Sequence, residues 1–174
     1  MRALHRGWFV GGRGMRALGI DYGDRRIGLA VSDASGTLAR PLRVVAPRGS
    51  LPDRAAAVAA AVAETAAEPD GLARVVVGVP RALNGAPHEQ TARALAFVAA
   101  LRAVTTVPVA LQDERLTSVE AESRLALRKR DWRKRKAMLD AAAAAVILQD
   151  YLDRTAEAGG GRAEVGDPGA GDEE

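Results

Sequence analysis

Three strand-like runs stand close together early in the chain, at about residues 17–22, 26–32 and 39–46, and after them helix-like and strand-like stretches alternate. This order constrains the fold more than any other feature. Short, turn-rich joins such as Ser35-Gly36 leave no room for a crossover, so the first three strands form an antiparallel meander. A helix over about 52–67 follows, with Ser50 as its cap and Pro52 in its first turn, and it stops at Glu68-Pro69-Asp70-Gly71. Next come a strand over 74–79, a Pro/Asn/Gly loop through Pro87, a helix over about 89–103 and a strand over 107–111 whose Pro108 argues for a strand start or a sheet edge. Thr117-Ser118-Val119-Glu120 is a capping box that opens a helix to about Leu127, and a last helix is expected over about 137–153.

Three antiparallel strands feeding strand-helix-strand crossovers give an α/β fold. The expected sheet is mixed and five-stranded, three antiparallel strands then parallel ones, flanked by helices in the ribonuclease H-like order. At 174 residues and 48% hydrophobic content the chain can bury one full core. The domain is expected over 15–155. Residues 1–14, rich in Gly and Arg, read as a disordered N-terminal arm or as sequence upstream of a start at Met15, and residues 156–174 as a disordered acidic, Gly-rich tail. Residues 1–14 carry three arginines and no acid, while 156–174 hold six acids against Arg162, so the middle of the chain is basic and suited to a polyanionic partner.

Within the first strand, Leu18-Gly19-Ile20-Asp21-Tyr22-Gly23 sets a carboxylate in an apolar run. Burying it is expensive unless a metal ion, a proton or a cation compensates. The other reading is a half-exposed strand-end acid. Gly23 is expected to permit a positive-φ turn beside it. Two other acids can converge with Asp21. Glu114 lies in Asp113-Glu114-Arg115, directly after a strand expected to be a parallel neighbour of the first; Asp140 lies inside the alanine-rich run Met138 to Ile147, where small side chains let a helix lie close on the sheet. Asp140 alone also fits a helix-start charge favoured by the macrodipole. Asp24, Asp33 and Asp113 read as turn or strand-end acids. The chain has no cysteine, and His5 and His88 are its only imidazoles, so a metal here would be held by oxygen. Convergence of Asp21, Glu114 and Asp140 would make a catalytic, hard-oxygen site for Mg²⁺ or Mn²⁺ and point to two-metal phosphodiester hydrolysis.

From Arg124 to Lys136 the chain places Arg124, Arg128, Lys129, Arg130, Arg133, Lys134, Arg135 and Lys136 against Asp131 alone. This block reads as a mobile loop between two helices that closes on a nucleic-acid backbone. Trp132 within it either stacks on an unpaired base or anchors on the domain surface. Arg26, Arg81, Arg93 and Arg115 are further cations for the polymer, with Arg81 and Arg93 flanking the Gly78-Val79-Pro80 and Asn84-Gly85 stretches, which read chiefly as turns. Thr117 caps its helix and lies three residues from Glu114; His88 reads as an exposed helix-start residue. No apolar run approaches the roughly 20 residues of a membrane span, and the N-terminus lacks the apolar core of a secretory signal. The expectation is a cytoplasmic protein with no membrane partner.

Three blocks together resemble the YqgF/RuvX family of bacterial nucleases. They are Gly19-Ile20-Asp21-Tyr22-Gly23 with Arg26-Ile27-Gly28-Leu29-Ala30, then Val77-Gly78-Val79-Pro80 with Asn84-Gly85 and Thr91-Ala92-Arg93, then Asp113-Glu114-Arg115-Leu116-Thr117 with Asp140. The resemblance covers about residues 15–153. It implies a ribonuclease H-like fold, divalent-metal dependence, catalytic acids at Asp21, Glu114 and Asp140, and 5′-end maturation of pre-16S rRNA. Holliday junction or other DNA-structure cleavage, on single-stranded or branched DNA, is the alternative. The protein is expected as a monomer or a homodimer, and junction resolution would need the paired sites of a dimer. Two other classes stay open: a noncatalytic nucleic-acid-binding module, and a fragment of an actin-like ATPase, which would need a second domain around its nucleotide.

Overall fold

The computed structural model describes residues 16–81, 89–115 and 132–160. Among them are strands β1 (Ala17–Tyr22), β2 (Ile27–Ser32), β3 (Ala39–Val45), β4 (Arg74–Arg81) and β5 (Val109–Arg115), and helices α1 (Leu51–Ala66), α2 (Glu89–Val104) and α3 (Trp132–Gly160). The sheet order is β3-β2-β1-β4-β5; β1–β2 and β2–β3 are antiparallel, and β1–β4 and β4–β5 parallel. This is the expected ribonuclease H-like mixed sheet.

Period-two alternation gives the sheet two unlike faces. Leu18, Ile20, Ile27, Leu29, Val75 and Val77 point to one face and bury completely against Val58 and Val62 of α1 and Phe97 and Leu101 of α2. Full burial of each such side chain stabilises by about 1.5–3 kcal/mol. Ala17, Gly19 and Asp21 alternate to the other face, where Ala17, Ala30 and Val76 meet Ala144, Ile147, Leu148 and Leu152 of α3. Few large side chains lie here, so α3 sits nearly on the backbone. A Cβ on Gly19 would come within 2.7 Å of Leu148 Cβ, and one on Gly28 within 1.9 Å of the Asp140 carbonyl oxygen. α3 touches every strand of the sheet.

Several expectations hold residue by residue. Ser50 and Asp53 form a reciprocal capping box at the start of α1, with Pro52 in its first turn. Pro108 immediately precedes β5, which is an edge strand. Asp33 is a turn acid whose carboxylate accepts hydrogen bonds from the Ser35 hydroxyl and the Thr37 and Leu38 amides, which lower its pKa to about 2.

Others are corrected. β4 and β5 run on together to Arg81 and Arg115 because their ladder continues through Val79↔Asp113 and Pro80↔Glu114, so Gly78-Val79-Pro80 is strand and Glu114 lies within β5, not after it. α3 starts inside the basic block, at Trp132, and reaches Gly160. Arg and Lys at one end and Ala156-Glu157-Ala158 at the other are good helix formers, so the tail assigned to 156–174 loses its first residues to the helix, and the block is helical from Trp132 on rather than wholly loop. Gly23 is not among the positive-φ glycines Gly36, Gly49 and Gly71. Its lack of a side chain matters for space: a Cβ would sit 2.7 Å from the Arg26 carbonyl oxygen, which accepts from the Gly23 amide. The expected arm 1–14, loop and helix over 117–127, residues Asn84, Gly85 and His88, and cations Arg128, Lys129 and Arg130 lie outside the described residues.

Candidate active site

Asp21 is flanked by two glycines, and these assemble the site. On β2 its partner across the ladder is Gly28; on β4 the pair Ile20↔Val77 puts Gly78 beside it. The Asp140 backbone occupies the space that a side chain at Gly28 would fill. Over Gly78 lies the Glu114 carboxylate, whose Oε1 would be 1.8 Å from a Cβ there. β5 is therefore not a neighbour of β1, as the sequence suggested; β4 stands between them, and Glu114 reaches toward Asp21 across the gap left by Gly78. Sequence reasoning missed both glycine roles. The signal that could have found them is the small-large alternation of β1, with its small residues and its acid on one face.

The carboxylates feel one another and their burial. Asp21 is raised to about 6, chiefly by desolvation and then by Asp140. Glu114 is raised to about 7 by desolvation, then by Asp21 and by Asp150 of α3, an acid that the sequence did not single out. Glu114 Oε1 is buried without a hydrogen-bond partner. Arg26 Nη1 stands 4.0 Å from Asp140 Oδ2, at the outer limit of an ion pair. Among the described residues no three Asp, Glu or His side chains form a closed metal cage. The three acids share one face and one field, and they are not drawn onto a single point.

The remaining expected residues divide clearly. Asp113 is excluded from the cluster by strand alternation, being adjacent to Glu114, and it pairs with Arg81 at 2.9 Å. Arg93 bonds Asp24 at 2.5 Å and also Glu89. Arg81, Arg93 and Arg26 thus each face a carboxylate, so a polyanion would have to compete for them. Arg115 ends β5, and Trp132, Arg133, Lys134, Arg135 and Lys136 open α3, with their side chains outside the described residues. Among the described residues, no helix is long and apolar enough to cross a membrane.

A curated protein of Anaeromyxobacter dehalogenans (strain 2CP-C), named "Putative pre-16S rRNA nuclease", is 45% identical over 142 residues, covering 82% of this chain and 99% of its own. One of Chloroflexus aggregans with the same name is 45% identical over 137 residues, covering 78% and 92%. Among solved structures, T. thermophilus RuvC in complex with Holliday junction substrate aligns at 19% identity and a TM-score of 0.47, covering 81% of this chain and 96% of that one. The profile of the RuvX family, described as Holliday junction resolvase, matches residues 15–154, and this chain belongs to that family.

Proposed function

We propose that the protein is a divalent-metal-dependent nuclease that hydrolyses phosphodiester bonds, with Asp21, Glu114 and Asp140 as its catalytic and metal-holding acids. The observation that carries the reading is the buried, unpartnered Glu114 Oε1 beside an Asp21 that burial and like charge already disfavour as an anion. Such a group fits a hard cation, and the donors on offer are all carboxylate oxygens. Mg²⁺ or Mn²⁺ held there would activate the attacking water and stabilise the leaving oxygen. Asp21 is a fixed point on a central strand, Glu114 approaches over Gly78, and Asp140 is carried by α3. Burial at this face keeps bulk water away from their charges and strengthens their hold on a bound cation.

The substrate is proposed to be RNA, in 5′-end maturation of pre-16S rRNA in the cytoplasm, on the strength of the relatives' names. The family description supports a second reading, junction cleavage in DNA, which would need paired active sites in a dimer. Arg133 to Lys136 support a polyanionic partner of either kind: they sit in the opening turns of α3, where the macrodipole disfavours cations and the first turn has no acid. Neighbouring phosphates would offset that cost.

The test is a cleavage panel of single-stranded RNA, single-stranded DNA and four-way junctions with Mg²⁺ or Mn²⁺. Asp21→Asn should lower the rate on the order of 10²–10³-fold or more while leaving folding and RNA binding intact. An equally active variant would refute the assignment of Asp21, and a wild type that binds but cuts none of the panel would leave a binding module. Replacing Arg128, Lys129 and Arg130 by alanine should weaken binding and flatten its salt dependence, by roughly 0.7–0.9 in slope for each phosphate that the protein no longer neutralises; an unchanged slope makes the block bystander charge.

A further inference from the structure

α1 opens with a capping box and then, at Arg54, places a cation in its first turns, where the helix dipole disfavours it. A tertiary partner has to compensate, and the structure shows which. Arg54 donates from Nη2 to the Gly23 carbonyl oxygen and from Nη1 to that of Asp24. Its guanidinium lies 5.1 Å from the centroid of the Tyr22 ring, and that ring stacks on the fully buried Phe97 of α2 with centroids 4.4 Å apart and planes at 20°. Arg93 of α2 holds the Asp24 side chain at 2.5 Å, and the Gly23 amide donates to the Arg26 carbonyl at 3.0 Å. The whole β1–β2 turn is therefore gripped from α1 and α2.

That turn joins the two strands on which the acid site depends. Asp21 precedes it by two residues, and Arg26, which faces Asp140, and Gly28, which seats the Asp140 backbone, follow it directly. We infer that Arg54 is a positioning residue for this site: it fixes the turn through two backbone carbonyls, from the α1/α2 face, and so sets the placement of Asp21 and Arg26 without touching substrate. The inference rests on the nuclease reading for its rate consequence only. Lysine cannot replace this arginine, because a single ammonium does not fork across two carbonyls as the planar guanidinium does.

The experiment compares Arg54→Lys and Arg54→Ala with the wild-type full chain on a single-stranded RNA oligonucleotide. Both variants should lose kcat by about 10–100-fold, the scale of an ångström-sized misplacement, with KM and the salt slope of binding unchanged. Amide hydrogen exchange at Gly23 should quicken in both. Wild-type kcat in the lysine variant, or unchanged exchange at Gly23, overturns the inference. A salt slope reduced by roughly 0.7–0.9 in the alanine variant also overturns it, by making Arg54 a phosphate ligand. Should the wild type cut none of the substrates, the nuclease reading fails by itself, and the exchange comparison still decides whether Arg54 holds the turn.

Discussion

The two faces of the one sheet are built on opposite terms. Toward α1 and α2, Leu18, Ile20, Leu29, Val77 and Phe97 fill space with branched and aromatic side chains. Toward α3, glycines and alanines thin the surface until a helix backbone rests on it, and the room left at the strand ends holds Asp21, Glu114 and Asp140. The first face supplies stability; the second spends part of it on holding carboxylates close together. The contrast teaches that small residues position this site as much as its acids do, since each glycine beside Asp21 admits one of the other two.

The sharpest way to break the comparison is to damage the packed face. Leu101→Ala removes a fully buried side chain of α2 and should cost about 2–5 kcal/mol in denaturant unfolding while leaving cleavage per folded molecule unchanged. A matching loss of specific activity would mean that the faces are not separable. The glycines give the converse. Gly28→Ala drives a methyl into the Asp140 carbonyl, which is backbone and cannot swing away, so about 1–3 kcal/mol of stability and most activity should go together. Gly78→Ala meets chiefly the flexible end of Glu114, so activity should fall with a smaller loss of stability; equal costs for the two would argue against this account of how Glu114 reaches the site.

pH sharpens the comparison from the side of the acids. Asp21 and Glu114 bind protons more tightly folded, at about 6 and about 7, than unfolded, so the folded form carries more protons between about pH 4 and pH 7. Stability is therefore greatest below the unfolded values and declines as pH rises through the folded ones, by up to about 3 kcal/mol for each group. Thermal melts of metal-free protein should show the decline; Asp21→Asn should blunt it, and Mg²⁺ or Mn²⁺ should restore stability at pH 7. A flat profile would mean that the carboxylates are compensated without a cation.

Much of this is legible in the residues alone. The meander follows from three apolar runs too close for crossovers, the α1 cap from Ser50, and the suspicion of Asp21 from the desolvation cost of an acid in an apolar strand. These are local matters of periodicity, turn chemistry and burial. Sequence falls short where strands choose partners. Its pattern puts Glu114 after β5 and beside β1, whereas β5 runs through it and β4 intervenes, and it does not show that Gly78, on the expected strand over 74–79, is the gap over which Glu114 lies.

The chain's own pattern thus determined which elements form and which acids are too costly to bury unaccompanied, because backbone propensity and desolvation act over a few residues. Only the tertiary structure decided which strand lies beside which, that Gly28 and Gly78 flank Asp21, and that Arg26, Arg81 and Arg93 already face carboxylates. Those facts depend on register and on distances between residues up to about a hundred positions apart, which no local preference encodes.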